Sequence, residues 1–265
     1  MATMASTHDS ERRVAVVTGG ASGIGRATAR RLSTDGLAVV VWDIEAAAAG
    51  SAERPDKDSI VLHHLDVTDP RAVQEAATSL VEERGHVDVL VNCVGGDIFG
   101  LFLESDESRW RRLIDFNFVS VLNTCRYLAP VIAKSPAGRI VQIASDAAKV
   151  GAPLEAVYSG AKAAVISFSR ALAREIAGTG TTVNCVSPGP CDTPLLARST
   201  IEVAADPRYE TFFPGGLVKA QAAAIPLGRI AQPEDVANVV SFLVQASSGY
   251  VTGQTVSVSG GATMS

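Results

Sequence analysis

Tyr158 and Lys162 are the pair of side chains in this sequence whose types and spacing could do acid–base chemistry. They stand four positions apart in an alanine-rich run without proline, which predicts a helix carrying both on one face. A nearby ammonium favours phenolate, so we expect the pKa of Tyr158 to lie below its usual value, where a phenol is a usable general acid or base. The alternative is coincidence, because many helices contain Tyr-x-x-x-Lys.

The composition indicates one globular domain. The chain has 265 residues, 47% of them hydrophobic and 19% charged, enough to bury a sizeable core. A formal net charge of −5 with both signs interspersed predicts neither a nucleic-acid surface nor a membrane surface. We expect residues 1–12 to be a disordered tail, because they are polar and lack the apolar segment of a secretory signal. Residues 13–265 should form a single catalytic domain.

The cysteines predict a reducing compartment. Four are present, at positions 93, 125, 185 and 191, and none forms a Cys-x-x-Cys pair or any other metal-ligand spacing. We therefore expect free thiols in a cytoplasmic protein and no metal site. Apolar runs are also shorter than the roughly 18 residues of a transmembrane helix.

A glycine-rich turn follows the first predicted strand. A β-branched run at 14–17 leads into Thr-Gly-Gly-Ala-Ser-Gly-Ile-Gly at 18–25, and a helical pattern follows at 26–35. Glycines let the backbone approach a phosphate closely, and the helix start adds free N–H groups and the positive end of its dipole. A glycine turn alone is weak evidence, but its place between strand and helix predicts a dinucleotide site.

Asp43 ends the second predicted strand, about 20 positions beyond the glycine turn. A carboxylate there can accept hydrogen bonds from both hydroxyls of an adenosine ribose, and it repels a 2′-phosphate. Neither Ser22 nor Ile44 supplies a positive charge nearby, so we predict NAD rather than NADP. The alternative is that Asp43 merely caps the strand or the next turn.

The rest of the chain alternates strands and helices, which predicts an α/β fold: a doubly wound parallel sheet with helices on both faces. The predicted strands are residues 14–17, 38–42, 60–65, 87–91, 138–144, 182–186 and 255–258. The predicted helices are residues 26–35, 70–84, 104–134, 157–177 and 233–245, with a small helix-and-loop connection at 46–55. Between 191 and 225 the pattern is irregular, and we interpret this segment as a lid.

Polar residues stand at the carboxyl edge of this predicted sheet, where ligands of such folds bind. Asp66, Asn92 and Ser145 each follow a strand. Asn117 lies in the middle of a long apolar helix, and asparagine is a mediocre helix former, so its presence there asks for a reason.

Together these residues resemble the short-chain dehydrogenase/reductase family from about residue 14 to 261. The turn at 18–25 matches the family's Thr-Gly-x-x-x-Gly-x-Gly in full, and 92–95 matches Asn-Asn-Ala-Gly at its first and last positions only. Ser145 stands thirteen residues before Tyr158, as the family pattern requires. The resemblance implies a single-domain Rossmann fold of seven strands in the order 3-2-1-4-5-6-7, a homotetramer or homodimer, and hydride transfer between NAD and a secondary alcohol or ketone.

The resemblance also implies roles for four residues. Tyr158 exchanges the substrate proton, and Ser145 hydrogen-bonds the substrate oxygen. Lys162 binds the nicotinamide ribose and lowers the pKa of Tyr158, while Asn117 anchors a water that passes protons onward. The residues assigned to the cofactor are Gly19, Ser22, Gly23, Ile24, Gly25, Asp43, Asp66, Val67, Asn92, Val94, Gly95, Tyr158, Lys162, Pro188, Gly189, Cys191 and Thr193.

The substrate is less constrained. Several stretches around the site look like the 2-hydroxycyclohexanecarbonyl-CoA dehydrogenase branch, which acts on a small-molecule β-hydroxyacyl thioester. Alternatives are a 3-oxoacyl carrier-protein reductase, another cyclic alcohol dehydrogenase, or a non-catalytic dinucleotide-sensing regulator. The regulator is disfavoured because the catalytic tetrad of Asn117, Ser145, Tyr158 and Lys162 is complete. Candidate substrate contacts are Asp97, Phe99, Asp146, Lys149 and Pro190. Lys149, Arg198, Arg208 and Lys219 are either contacts for CoA phosphates or solvated surface charges.

Overall fold

A computed structural model of the protein describes residues 12–45 and 60–264. The predicted tail, apart from Arg12, and the connection at 46–55 lie outside the described residues. No helix within the described ranges is long and apolar enough to cross a membrane.

Seven parallel strands form one sheet in the order β3-β2-β1-β4-β5-β6-β7, which confirms the predicted topology. The strands are β1 (Val14–Thr18), β2 (Ala38–Asp43), β3 (Ile60–His64), β4 (Val89–Asn92), β5 (Arg139–Ile143), β6 (Thr182–Pro188) and β7 (Thr255–Val258). The order reverses between β1 and β4, and the crevice at such a reversal is the usual ligand site of an open α/β sheet.

Helices cover both faces of this sheet. The α-helices are α1 (Gly23–Thr34), α2 (Pro70–Arg84), α3 (Glu107–Ile114), α4 (Ser120–Ile132), α5 (Ala147–Val150), α6 (Ala156–Ile176), α7 (Pro194–Ala204), α8 (Leu217–Ala224) and α9 (Pro233–Val244). Strand side chains alternate between two cores: Val16 packs with α2, α4 and α6, and Val17 packs with α1 and α9. Burial on both faces explains the continuous apolar runs of β1, β2 and β4, whereas β3 at the sheet edge is largely exposed.

The long helix predicted at 104–134 is divided. A π-helical turn, Asp115–Val119, separates α3 from α4, and Asn117 lies at its centre. The Nδ2 group of Asn117 donates to the carbonyl of Leu113 at 2.9 Å, the acceptor one helical turn back. A side chain that takes this acceptor displaces the regular backbone bond, and π-turns of this kind are frequent at functional sites. This is the physical reason for the mid-helix asparagine.

The segment 191–225 consists of α7, a short 3-10 helix (Pro207–Thr211) and α8. These pieces pack over the loop that follows β4 through a separate apolar cluster, in which the rings of Phe99 and Phe213 meet edge to face at 5.9 Å. The guanidinium of Arg208 adds an exposed ion pair with Glu104 at 2.7 Å. The predicted lid is therefore an ordered, docked element.

Candidate active site

The glycine turn between β1 and α1 is closely packed by backbone. A Cβ at Gly25 would lie 2.0 Å from the carbonyl oxygen of Gly19, and one at Gly19, where φ is +67°, would lie 3.1 Å from the amide nitrogen of Val94. The hydroxyl of Ser22 does not cap α1, so it takes up none of the N–H groups at the start of the helix. A pyrophosphate fits such a surface, because the N–H groups at the start of α1 have no side-chain cap.

The opposite wall of this cleft begins where β6 ends. A Cβ at Gly23 would lie 3.3 Å from Cγ2 of Thr193, whose Oγ1 accepts from the amide of Leu196 and caps α7. Gly189 lies against Ser259, where a Cβ would come within 2.9 Å. Cys191 is buried, and burial together with nearby carboxylates raises its pKa to about 12, so it is a packing residue and not a reactive thiol.

Asp43 lies at the end of β2 beside the glycine turn. Its carboxylate accepts from the amide of Ala21 at 2.9 Å and from the amide of Glu45 at 2.8 Å. Capping and ribose recognition are therefore not exclusive, because each carboxylate oxygen has a second lone pair. The interaction with Ala21 fixes the carboxylate at the cleft.

The remaining predicted cofactor residues divide by exposure. Asp66 is exposed, and its carboxylate accepts from both the amide and the hydroxyl of Thr68, whereas Val67 is buried in the core. The side chain of Asn92 is also buried, donating to Gln142 and accepting from Thr124. Asn92 therefore joins the end of β4 to β5 and α4, and its side chain is not free to bind a cofactor. The loop residues that follow Asn92 remain available.

Lys162 is buried in the carboxyl edge of the sheet, with 3% of its surface exposed. Its Nζ donates to the carbonyl of Ile143, the last residue of β5, at 2.9 Å and lies 6.0 Å from the ring centroid of Tyr158. A Cβ at Gly95 would lie 2.6 Å from this nitrogen and 3.0 Å from Oδ1 of Asn117. Lys162 and Asn117 thus approach each other at Gly95, where a side chain would displace one of them.

The side chain of Asn117 is committed to backbone. Its Nδ2 donates to the carbonyl of Gly96 at 2.7 Å as well as to that of Leu113, and its Oδ1 accepts from the amide of Gly96 at 3.1 Å. It fastens the loop after β4 to the π-turn and is fully buried. This contact positions the loop that faces Lys162.

The predicted lowering of the Tyr158 pKa by Lys162 is wrong for the protein chain alone. Burial and the carboxyl of Glu155 raise the pKa of Tyr158, and a hydrogen bond with Ser145 is the influence that lowers it. Burial also lowers the pKa of Lys162 to about 8. Desolvation is the largest influence on the pKa of both groups, and spacing in the sequence does not reveal it.

The predicted substrate residues separate into two groups. Asp97 and Phe99 lie in the loop after β4, where Phe99 packs against the segment 191–225 and Asp97 acts electrostatically on Tyr158. Asp146 and Lys149 instead bond to the hydroxyl of Ser257 on β7, at 2.8 and 2.7 Å, so they tie α5 to the last strand. These bonds do not exclude a substrate contact, because Oδ2 of Asp146 is buried without a hydrogen-bond partner among the described residues, so both assignments stay predictions. Pro190 is half-buried at the start of the lid segment.

Two residues that the sequence did not single out take part in the site. Thr18 accepts at its Oγ1 from the amides of Cys93 and Val94, which joins β1 to the loop after β4. Glu155 precedes α6 and lies within interaction range of Asp97. The sequence feature that could have indicated Glu155 is its position as an acidic residue directly before α6, among apolar neighbours.

Comparisons with known proteins agree with this geometry. The family described as "Enoyl-(Acyl carrier protein) reductase" matches residues 19–263. A 2,3-dihydroxy-2,3-dihydro-p-cumate dehydrogenase of Pseudomonas putida is 36% identical over 96% of this chain and 95% of its own. A 3-oxoacyl-[acyl-carrier-protein] reductase of Thermotoga maritima is 32% identical over 95% and 98%. The solved structure of Thermoplasma acidophilum aldohexose dehydrogenase superposes with a TM-score of 0.82 at 30% identity, covering 96% of this chain and 95% of that one.

The half-buried carboxyl of Glu155 should give the stability of the fold a pH dependence. Burial and the neighbouring Asp97 raise its pKa, and the other charged groups nearby are Glu202, Arg109 and the Tyr158 phenol. Between pH 5 and 8 the folded protein retains a proton that the unfolded chain has lost, so stability falls as pH rises. We expect Glu155→Gln to remove this fall. Its melting temperature should gain at least about 2 °C on wild type between pH 5 and 8, the shift that about 1 kcal/mol produces.

Glu107→Gln is the matched control, since Glu107 is a largely exposed carboxylate with a long ion pair to Arg111. Its difference from wild type should not change with pH. A constant difference for Glu155→Gln as well would contradict a raised pKa at Glu155.

Proposed function

The chain belongs to the short-chain dehydrogenase/reductase family, oxidoreductases of alcohols and ketones, and we propose that it transfers a hydride between NAD(H) and a secondary alcohol or ketone. The observation that carries this proposal is the convergence of Asn117, Ser145, Tyr158 and Lys162 beside the glycine cleft. The catalytic unit is residues 13–265, with 191–225 as its lid.

The side chains divide the chemistry among them. Bound NAD supplies the hydride acceptor. Tyr158 takes the proton of the substrate hydroxyl during oxidation, and Ser145 donates to the substrate oxygen as negative charge develops there. Lys162 holds the nicotinamide ribose. The protonated phenol that burial favours is the form that donates to a ketone, so ketone reduction starts from the resting state of Tyr158.

The preference for NAD rests on Asp43. Its carboxylate is fixed beside the glycine turn by the amide of Ala21, where it can accept from ribose hydroxyls and repel a 2′-phosphate. Asp66 and Val67 are assigned to the adenine, and the backbone of residues 92–95 with Pro188, Gly189, Cys191 and Thr193 to the nicotinamide end.

For the substrate, the candidates are a β-hydroxyacyl-CoA and a smaller cyclic alcohol. The smaller alcohol is favoured, because two of the four cations considered for CoA are already engaged: Arg208 pairs with Glu104 and Asp206, and Lys149 donates to Ser257. The named relatives include both a reductase of carrier-protein thioesters and a dehydrogenase of a cyclic diol. A cytoplasmic location and a homotetramer or homodimer are further proposals that rest on family resemblance.

Replacing Tyr158 by phenylalanine tests the mechanism. Loss of the phenolic proton carrier should lower kcat by about 10²–10⁴-fold, because the ring remains and only the hydroxyl is removed. NADH binding, measured by fluorescence titration, should change little. Tyr127→Phe, on α4 and away from the cleft, is the control and should keep full activity. Unchanged turnover in Tyr158→Phe would refute the mechanism, and NADH binding by a wild type inactive on all alcohols would favour the regulator.

Replacing Asp43 tests the cofactor assignment. Asp43→Asn removes the charge that repels a 2′-phosphate, and Asp43→Ala removes the ribose acceptor as well. Both should reduce the ratio of kcat/KM for NAD to that for NADP by at least about tenfold, equivalent to about 1.4 kcal/mol. Steady-state rates with each cofactor measure the ratio. Equal efficiency of the wild type with NAD and NADP would mean that Asp43 serves only as a cap.

A further inference from the structure

Two carboxyl groups from distant parts of the chain meet beside Tyr158. Asp97 lies in the loop after β4, and Glu155 lies immediately before α6. The two carboxyls lie within interaction range of each other, and both act electrostatically on the Tyr158 phenol. The amide of Gly100 donates to the carbonyl of Leu154 at 3.0 Å and holds the two segments together. The pair thus belongs to the substrate side of the site.

The backbone that leads into Glu155 is strained at Leu154. Among the described residues, Leu154 is the one non-glycine residue with a positive φ, +67°. Its side chain is buried in the apolar cluster with Phe99 and Phe213, which compensates for the unfavourable conformation. Such strain is typically retained at functional sites, and here it sets the direction in which the chain enters Glu155 and Tyr158.

The carboxyl cluster contains acceptor atoms that the protein does not use. Asp97 is 8% exposed, and its Oδ1 is buried without a hydrogen-bond partner among the described residues. A third carboxyl, Glu202 on α7, acts on Asp97 and has its own buried Oε2 without a partner there. The nearest cation, Arg109, donates to the carbonyl of Ile98. Buried acceptors without donors are rare and costly, so their number in one place indicates an external donor.

We propose that Asp97 and Glu155, with Glu202 from the lid, form a hydroxyl-recognition subsite, and that the substrates are vicinal diols or related polyols. One hydroxyl is oxidised at Tyr158, and its neighbour donates to the free oxygen of Asp97. This inference rests on the proposed dehydrogenase activity and specifies its substrate class.

Charge and shape favour a neutral hydroxyl donor over other ligands. Carboxyl oxygens accept hydrogen bonds from a hydroxyl but offer a carboxylate or phosphate no matching positive charge. Within the described ranges, no group of three or more His, Cys, Asp or Glu side chains is arranged to hold a metal ion. The adjoining cleft has an apolar wall in which Phe102 stacks on Trp110 at 5.2 Å. A hydroxyl donor matches the acceptor atoms of Asp97 and Glu202, and the apolar side chains of Phe99 and Leu154 lie near the carboxyls to contact its carbon framework.

Matched alcohols separate this inference from the general activity. The probes are the stereoisomers of cyclohexane-1,2-diol, cyclohexanol, 2-methoxycyclohexanol, which keeps the second oxygen but lacks its proton, and 2-aminocyclohexanol, which is cationic. With NAD, the best diol should exceed cyclohexanol in kcat/KM by at least about tenfold, because a site built for a hydroxyl discriminates against analogues that lack it. The methoxy compound should not exceed cyclohexanol.

The same probes are titrated calorimetrically into the NADH complex, so that binding is read independently of turnover. Tighter binding of the diol than of cyclohexanol supports the subsite even if no alcohol is oxidised, an outcome that would refute the proposed activity alone. Equal binding and equal kcat/KM for diol and cyclohexanol would refute the subsite and leave the dehydrogenase standing. Preference for the amino alcohol over every diol would also overturn the proposal in favour of an ammonium site.

Asp97→Asn and Glu155→Gln connect the preference to these residues. Each keeps the side-chain shape but removes the carboxylate or the shared proton, so the diol-to-cyclohexanol ratio should fall at least about tenfold toward unity. NADH affinity reports whether each variant is folded. Glu107→Gln, the exposed carboxylate on α3, should keep the wild-type ratio. A wild-type ratio retained in both Asp97→Asn and Glu155→Gln would refute the assignment.

Discussion

The burial of one ammonium group constrains this structure more than any other single interaction. Lys162 Nζ lies beneath the carboxyl edge of the sheet, where the carbonyl of Ile143 accepts its hydrogen bond, and burial, the largest influence, lowers its pKa to about 8. Desolvating a cation without a carboxylate partner is unfavourable. Its surroundings accommodate it: Gly95 leaves room that a Cβ would fill, and the π-turn at Asn117 secures the loop on which Gly95 lies.

Opposed electrostatic influences meet at Tyr158. Ser145 lowers the pKa of the phenol, while burial and Glu155 raise it. The carboxyl pair that we propose as the hydroxyl-recognition subsite therefore also disfavours the phenolate form of Tyr158. The carboxyls proposed for substrate recognition and the phenol proposed for acid–base chemistry therefore influence each other, because charges interact strongly in a low-dielectric site.

The parts of this account that the sequence predicted depend on local patterns. Runs of β-branched residues predicted the buried strands, and the glycine content of residues 18–25 predicted the turn. Ser145 and Asn92 were found because they stand at the ends of predicted strands. The π-turn was not predictable, because it depends on where Asn117 finds backbone acceptors. The pairing of Glu155 with Asp97 joins segments far apart in the chain, and the pKa of Tyr158 depends on burial, which the four-residue spacing to Lys162 does not report.

The stability of Lys162→Met tests the central claim that this buried cation is kept for function rather than for folding. Methionine has a similar length and no charge, so the free energy of unfolding in urea at pH 7 should stay within about 1 kcal/mol of wild type or increase. Lys134→Met, which removes an exposed lysine, provides the reference for loss of a surface charge. A decrease of about 3–5 kcal/mol in Lys162→Met, the loss expected when a structural buried pair is broken, would contradict the account.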